Sequence, residues 1–216
     1  MNKNSREISV HIINEIYNDK SFDDVVNNNH DYLKLDNRDK SLVRMITLTF
    51  LRRNGEVDHI IKKYLKKSVD KKIMNILRVG ATQILFLNIP DYSSVNTSVN
   101  LSKKKFRSLS GLVNAILRNI SKDKKKLIDE LDPIMNLPSW IQIDWIKNYG
   151  EKKTRKFAKL FSEKPPLDIN IKKKKINDRN WGEHLDGEKF FKQIIRLNKN
   201  GLVTDFPFFQ EGDWWV

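Results

Sequence analysis

The side chains best placed to do chemistry in this chain are cations, and the chemistry they offer is neutralisation of phosphate. Lys103, Lys104, Lys105 and Arg107 crowd into one short stretch beside Ser108 and Ser110. A helix start at that point would add backbone amides to the four cations, which is the composition of a phosphate site. Lys62, Lys63, Lys66 and Lys67 form two like-charge pairs at i,i+4, each unfavourable by roughly 0.2–0.5 kcal/mol in a helix. A phosphate backbone relieves that repulsion and gains from counterion release, although a solvated lysine face explains the spacing equally well. Lys3 and Arg6 fit a mobile amino-terminal arm that grips a nucleic-acid backbone. The candidate binding set is therefore Lys3, Arg6, Lys62, Lys66, Lys103, Lys104, Lys105 and Arg107.

Other chemistry is hard to build from these residues. The chain has no cysteine, which removes disulfides, thiolate-ligated zinc and a thiol nucleophile. His11, His30, His59 and His184 share no metal-ligand spacing. No P-loop, no G-x-G-x-x-G and no Ser-His-Asp arrangement is present. We expect no catalytic residue, no metal ligand and no cofactor site. Arg78 and Arg118 are flanked by apolar helix positions, where a guanidinium pairs with a carboxylate or carbonyl. Asn96 and Asn114 read as hydrogen-bonding packing residues. The closing aromatics Phe206, Phe208, Phe209, Trp214 and Trp215 offer base-stacking surfaces in principle, and more commonly form core.

The elements that position these groups are helices. Ile8, Ile12 and Ile16 repeat at i+4; Ser21 with Asp24 resembles a capping box, and Asp36 can cap the next helix. That helix carries the stripe Val43, Ile46 and Phe50, with Asn54-Gly55 as a left-handed stop. Val57, Ile60, Ile61 and Tyr64 mark a short helix. Asp70 caps a strongly periodic one, in which Ile73, Ile76, Leu77, Gly80, Ala81 and Ile84 share a face. Gly80 and Ala81 in that face predict close helix–helix approach, and Pro90 ends it. After Val95, Val99 and Leu101, Ser110 caps a last helix with Val113, Ile116, Leu117 and Ile120 inward. No period-2 pattern competes, so residues 5–130 read as an all-helical bundle of about seven helices.

The texture changes near Asp132-Pro133, after the lysine run at 122–126. We therefore divide the chain into a helical domain, residues 1–132, and a small α+β domain, residues 133–216. Pro138-Ser139-Trp140 opens a helix that runs to Tyr149 and stops at Gly150, and a basic helix follows to about Phe161. Strands are expected over 167–171, 190–197 and 202–203. Formal charge is +14, with +9 in residues 1–132 and +5 in the rest, so both parts are basic and suit a polyanion. No signal peptide and no run of the ~20 apolar residues needed to cross a bilayer is seen, which predicts a cytoplasmic protein without a membrane partner.

Residues 5–130 resemble the NusB/RsmB family. The resemblance rests on Val57-Asp58-His59-Ile60-Ile61, on Leu77-Arg78-Val79-Gly80-Ala81-Thr82-Gln83-Ile84-Leu85-Phe86-Leu87-Asn88-Ile89-Pro90, on Ser94-Val95-Asn96, and on Gly111-Leu112-Val113-Asn114-Ala115-Ile116-Leu117-Arg118. It implies a NusB-like all-helical bundle that binds RNA. Beyond it, Leu137-Pro138-Ser139-Trp140-Ile141 resembles the Pro-x-Trp-Leu helix opening the next module of RsmB-type (Sun/Fmu) rRNA cytosine-C5 methyltransferases. Pro165-Pro166-Leu167-Asp168-Ile169-Asn170 resembles their Pro-Pro-x-x-Arg-x-Asn strand, with Asp168 where arginine is usual. Glu211-Gly212 resembles the Glu-Gly leading into their S-adenosylmethionine domain.

The resemblance thus implies the RNA-binding front of such an enzyme, directed to small-subunit rRNA and stopping before its catalytic domain. S-adenosylmethionine is expected only with that missing or separate domain. Phe208, Phe209, Trp214 and Trp215 are then expected to be exposed for want of it. Two other readings stand beside this one. One is a freestanding NusB-like adaptor for transcription antitermination or ribosome assembly; the other is a protein-interaction module whose charge is incidental.

Overall fold

The computed structural model describes residues 4–199, 201 and 203–216, so Lys3 and Leu202 lie outside it. The chain forms two compact units that divide after Glu163. The first contains α1 (Ser5–Ile16), α2 (Phe22–Asn27), α3 (His30–Leu33), α4 (Asn37–Arg52), α5 (Asn54–Tyr64), α6 (Lys71–Phe86), α7 (Asp91–Lys105), α8 (Ser110–Lys122), α9 (Lys124–Asp129), α10 (Ser139–Tyr149) and α11 (Glu151–Ser162). No strand occurs among its described residues.

Short polar side chains start the early helices by accepting a first-turn amide. Asn4 accepts from Glu7, Ser21 from Asp24, Asn29 from Tyr32, Asp36 from Asp39 and Asp70 from Lys72. The Ser21 hydroxyl also donates to the Asp24 carboxylate at 2.6 Å, a short variant of the expected capping box. Two expected punctuation marks act differently. Asn54-Gly55 is not a stop but the first turn of α5, and Arg53 makes the break with φ −125° and ψ 23°. Ser110 does not cap α8; its hydroxyl donates to the Arg107 carbonyl at 2.7 Å. Among the described residues nine helices rather than seven precede residue 130, because α3 and α9 are too short to show a period.

α6 is the axis of the bundle and packs on α1, α4, α5, α7 and α8. Its sequence explains the position: Ile73, Ile76, Leu77, Val79, Gly80, Ala81, Ile84 and Leu85 are buried and cover nearly its whole circumference. Ile46, Phe50, Val113 and Ile116 join the same core, as the stripes predict. A Cβ on Gly80 would sit 2.6 Å from Leu117 Cδ1 and 2.8 Å from Ser98 Oγ. The absent side chain is what lets α7 and α8 approach α6. α7 presents Ser94, Ser98 and Ser102 as buried residues, and the Ser98 hydroxyl donates back to the Ser94 carbonyl at 2.9 Å.

The boundary expected at 132/133 falls instead at 163/164. The connection after α9 is not a linker. Its 3-10 turn Pro133–Asn136 docks on the start of α5, where the Glu56 amide donates to Asn136 Oδ1 at 3.0 Å. Asn136 Nδ2 in turn donates to Ser162 Oγ of α11 at 3.0 Å, and Arg155 pairs with Asp132. Gly55 admits the turn, since a Cβ there would collide with the Met135 carbonyl. With residues 133–163 included, the first unit holds 31 Lys and Arg against 19 Asp and Glu, net +12, and the second holds 10 against 8, net +2. The surplus charge is therefore concentrated rather than shared.

The second unit, Lys164–Val216, contains β1 (Asp168–Ile171), α12 (Trp181–Leu185), β2 (Gly187–Phe191), β3 (Ile194–Leu197) and β4 (Trp214–Trp215). All pairings are antiparallel, in the order β2-β3-β1-β4. The run expected as one strand over 190–197 is a hairpin that turns at Lys192, φ 30°. Of the strand expected at 202–203, Leu202 lies outside the described residues and Val203 is in a 3-10 turn. β4 was not anticipated, and it corrects the reading of the closing aromatics. Trp214, 3% exposed, joins Ile169, Ile171, Trp181, Leu185, Ile195, Leu197 and Phe206 in the core. Phe208 and Phe209 pack against it, and only Trp215, 45% exposed on the alternate side of its strand, points outward.

Candidate nucleic-acid interface

Lys103, Lys104 and Lys105 occupy the last turn of α7 and are exposed. They do not sit at a helix start as expected. Three cations at a helix carboxyl end are instead favoured by the macrodipole of α7 itself. Arg107 is exposed in the 3-10 turn that leads into α8, where the Leu109 and Ser110 amides already donate to Phe106 and Arg107 carbonyls. Lys104 and Lys105 each approach the Glu7 carboxylate at 3.5 Å. That pairing brings the first turn of α1 beside the end of α7, two segments far apart in sequence.

Arg6 shares that first turn, so it is not part of a mobile arm. Its Nε donates to Gln83 Oε1 of α6 at 3.2 Å. Burial lowers its pKa from the ordinary arginine value, while Asp39 pulls it back up. Lys3, the other member of the expected arm, lies outside the described residues. Beside Glu7 and Lys105, a small cleft of ≈ 110 Å³ is lined by Val10, His11, Ile76, Leu101 and Phe106.

The Lys62 and Lys66 pattern also changes meaning. α5 ends at Tyr64 and Leu65 is extended, with φ −90° and ψ 115°, so Lys66 and Lys67 leave the helix. The i,i+4 repulsion is thereby avoided without a phosphate. Lys63 turns to Glu130 at 2.6 Å, which leaves Lys62 and Lys66 facing solvent at a shallow recess of ≈ 340 Å³. Tyr64 nearby donates to Asp123 at 2.8 Å, and burial together with that carboxylate pushes its hydroxyl up to about 12.

Of the two arginines expected to be structural, Arg78 fulfils the role. It donates to Asp58 Oδ1 from Nε at 2.8 Å and to Oδ2 from a terminal nitrogen at 2.6 Å, and lies 4.5 Å over the Tyr17 ring. Burial opposes its charge, but the Asp58 contacts outweigh that and raise its pKa. Arg118 does not follow: it is exposed, and its Nε donates to Asn114 Oδ1 of its own helix at 3.1 Å. Asn96 is exposed too, so it is not a packing residue. In the second unit Asp168 faces Arg196 across the strand pair, with two contacts of 2.8 Å, and Arg196 lies 3.9 Å over Phe190. Sequence reasoning passed over Lys152, Lys153, Lys156 and Lys159 of α11, exposed opposite its buried face of Thr154, Ala158 and Ser162. Their i,i+4 and i+7 spacing was the available signal.

A helical bundle built around one buried helix, with a basic surface and a small antiparallel α+β unit in the same chain, is the class these features define. The chain belongs to the NusB family, whose model matches residues 3–122. It is 25% identical over 197 residues to Ribosomal RNA small subunit methyltransferase B of Escherichia coli, covering 85% of this chain and 45% of that protein. It is 26% identical over 186 residues to the Probable ribosomal RNA small subunit methyltransferase B of Synechocystis, covering 77% of this chain and 42% of that one. The match is to the amino-terminal part of these relatives, and the chain spans less than half their length. The crystal structure of PH0851 shares the fold with a TM-score of 0.53 at 16% identity, over 97% of this chain and 51% of that one. No described helix is long and apolar enough to cross a membrane.

Proposed function

We propose that this chain is the RNA-binding amino-terminal portion of an RsmB-type rRNA (cytosine-5) methyltransferase, a cytoplasmic protein with small-subunit rRNA as its partner. The observation that carries this reading is the reach of the similarity. The match to the methyltransferases runs over 197 residues, well past the NusB-family match that ends at residue 122. A freestanding antitermination or ribosome-assembly adaptor accounts for the bundle but not for that extension. The net +12 of the helical unit supplies the attraction to a polyanion.

Methylation of a cytosine ring needs a nucleophile that adds to the base and a pocket for the methyl donor. The chain has no cysteine. The four-stranded sheet of its described residues is antiparallel and so lacks the crevice at the carboxyl ends of parallel strands where open α/β sheets hold nucleotide-type cofactors. Both features support a reading in which no methyl-transfer step is assigned to these residues. On this reading the polypeptide alone methylates no RNA, and the cofactor belongs to a methyltransferase domain outside these residues.

Filter binding to structured small-subunit rRNA fragments across a salt series tests the proposal. Affinity should fall steeply as salt rises, and alanine at Lys103, Lys104, Lys105 and Arg107 should flatten the dependence. Absence of binding even at low salt would overturn the reading in favour of a protein-interaction module. Calorimetric binding of S-adenosylmethionine would overturn the statement about the cofactor.

A further inference from the structure

The α10–α11 hairpin carries more exposed aromatic and cationic surface than its packing needs. Its inner seam is complete: Trp145 meets Phe157 edge-on at 5.8 Å, and Tyr149 meets the same ring at 5.6 Å. Thr154, Ala158 and Ser162 seat α11 on the bundle. Yet Trp140 remains 71% exposed, together with Ile143, Tyr149 and Phe161. Lys147, Lys152, Lys153, Lys156 and Lys159 are exposed, and none of them forms an ion pair with the described residues. The charge of Arg155, by contrast, is held by Asp132 and Glu151.

We propose that this hairpin is a second binding surface for RNA, taking a single-stranded segment through its lysines and stacking a base on Trp140. The inference rests on the RNA-binding reading and extends it beyond the NusB-family match, which ends at residue 122. Unpaired cations and an exposed indole on one helical hairpin are the combination that holds unpaired nucleotides, since every base has a face to stack. A membrane surface fits less well. An interfacial helix sets a continuous apolar face opposite its lysines, and the face opposite the α11 lysines is Thr154, Ala158 and Ser162, buried within the unit. A protein partner also fits less well, because lysine is depleted where protein interfaces are desolvated.

The test uses the full chain, a short oligoadenylate, and inorganic polyphosphate as a polyanion without bases. Alanine at Lys152, Lys153, Lys156 and Lys159 should make the logarithmic salt dependence of oligoadenylate binding shallower by about 2–3. Trp140→Ala should weaken oligoadenylate binding by about tenfold, leaving the salt slope and polyphosphate binding unchanged. Helical circular dichroism and melting of both variants should match the parent, since all five positions are exposed. If the parent binds oligoadenylate and both variants bind as tightly, the hairpin inference fails while the RNA-binding reading stands. If the parent binds no RNA, both fall. If Trp140→Ala instead lowers self-association in sedimentation and leaves RNA affinity untouched, the face is a contact between copies and the inference is overturned.

Discussion

The two units differ in how much of their positive charge the fold leaves free. In the helical unit a large core, continuous through α6, carries the stability, and most lysines are left projecting as net +12. In the second unit both arginines are spent internally. Arg196 clamps Asp168 across β1 and β3, and Arg179 lies 4.0 Å over Phe208 and 3.7 Å from Asp213. A unit of this size buries a smaller fraction of its surface than a larger domain does, and polar cross-links supplement its eight-residue buried cluster. The lesson is that composition alone does not locate a binding surface. A cation is available to a partner only where the fold does not need it.

The largest effect that could break this contrast lies at Arg78, an arginine of the helical unit held by a carboxylate and an aromatic ring as those of the second unit are. Asp58→Ala leaves the Arg78 guanidinium part-buried without its carboxylate, and thermal unfolding should show a loss of about 3 kcal/mol. Gly80→Leu should cost roughly 1–3 kcal/mol by overpacking α6 against α7 and α8. An unchanged melting temperature would mean the core is not organised around that approach.

The division at Glu163 is tested by Gly55→Ala, which sets a methyl group against the Met135 carbonyl. Limited proteolysis should then cut near residues 133–138 sooner than in the parent, with a stability loss of about 1–2 kcal/mol. Equal resistance would restore a junction at 132. The smallest effect is expected at Asp168, whose pKa is lowered by the hydrogen bond from Arg196. Its carboxylate therefore contributes stability above the ordinary aspartate range, and that contribution is lost as pH falls through the lowered value. Asp168→Asn should leave neutral-pH melting nearly unchanged and remove only this acid-limb component, because exposed pairs contribute little.

Much of the architecture was legible without coordinates. The capping residues Ser21, Asp36 and Asp70, the stripe on α6 and the stop at Gly150, φ 76°, are local signals, each acting within a turn of the backbone it shapes. The close approach at Gly80 was legible for the same reason, since a glycine inside an apolar helix face has few other uses. The candidate cations were less legible. Arg6 and Arg118 exchanged roles, because the burial of a long side chain depends on which helix lies beside it. Arg6 found Gln83 across the bundle, whereas Arg118 turned to Asn114 on its own helix.

Local pattern thus decided that helices form, where most begin, and which of their faces turn inward. Tertiary contact decided what no short window contains. Gly55 is a docking point rather than a stop because Met135 arrives from a distant part of the chain. The unit ends at Glu163 because Asn136 joins Glu56 to Ser162. Trp214 is core because a two-residue strand pairs with Asn170 and Ile171. Each of these depends on partners remote in sequence, and the spacing of residues along a chain carries no record of which distant segment will close against them.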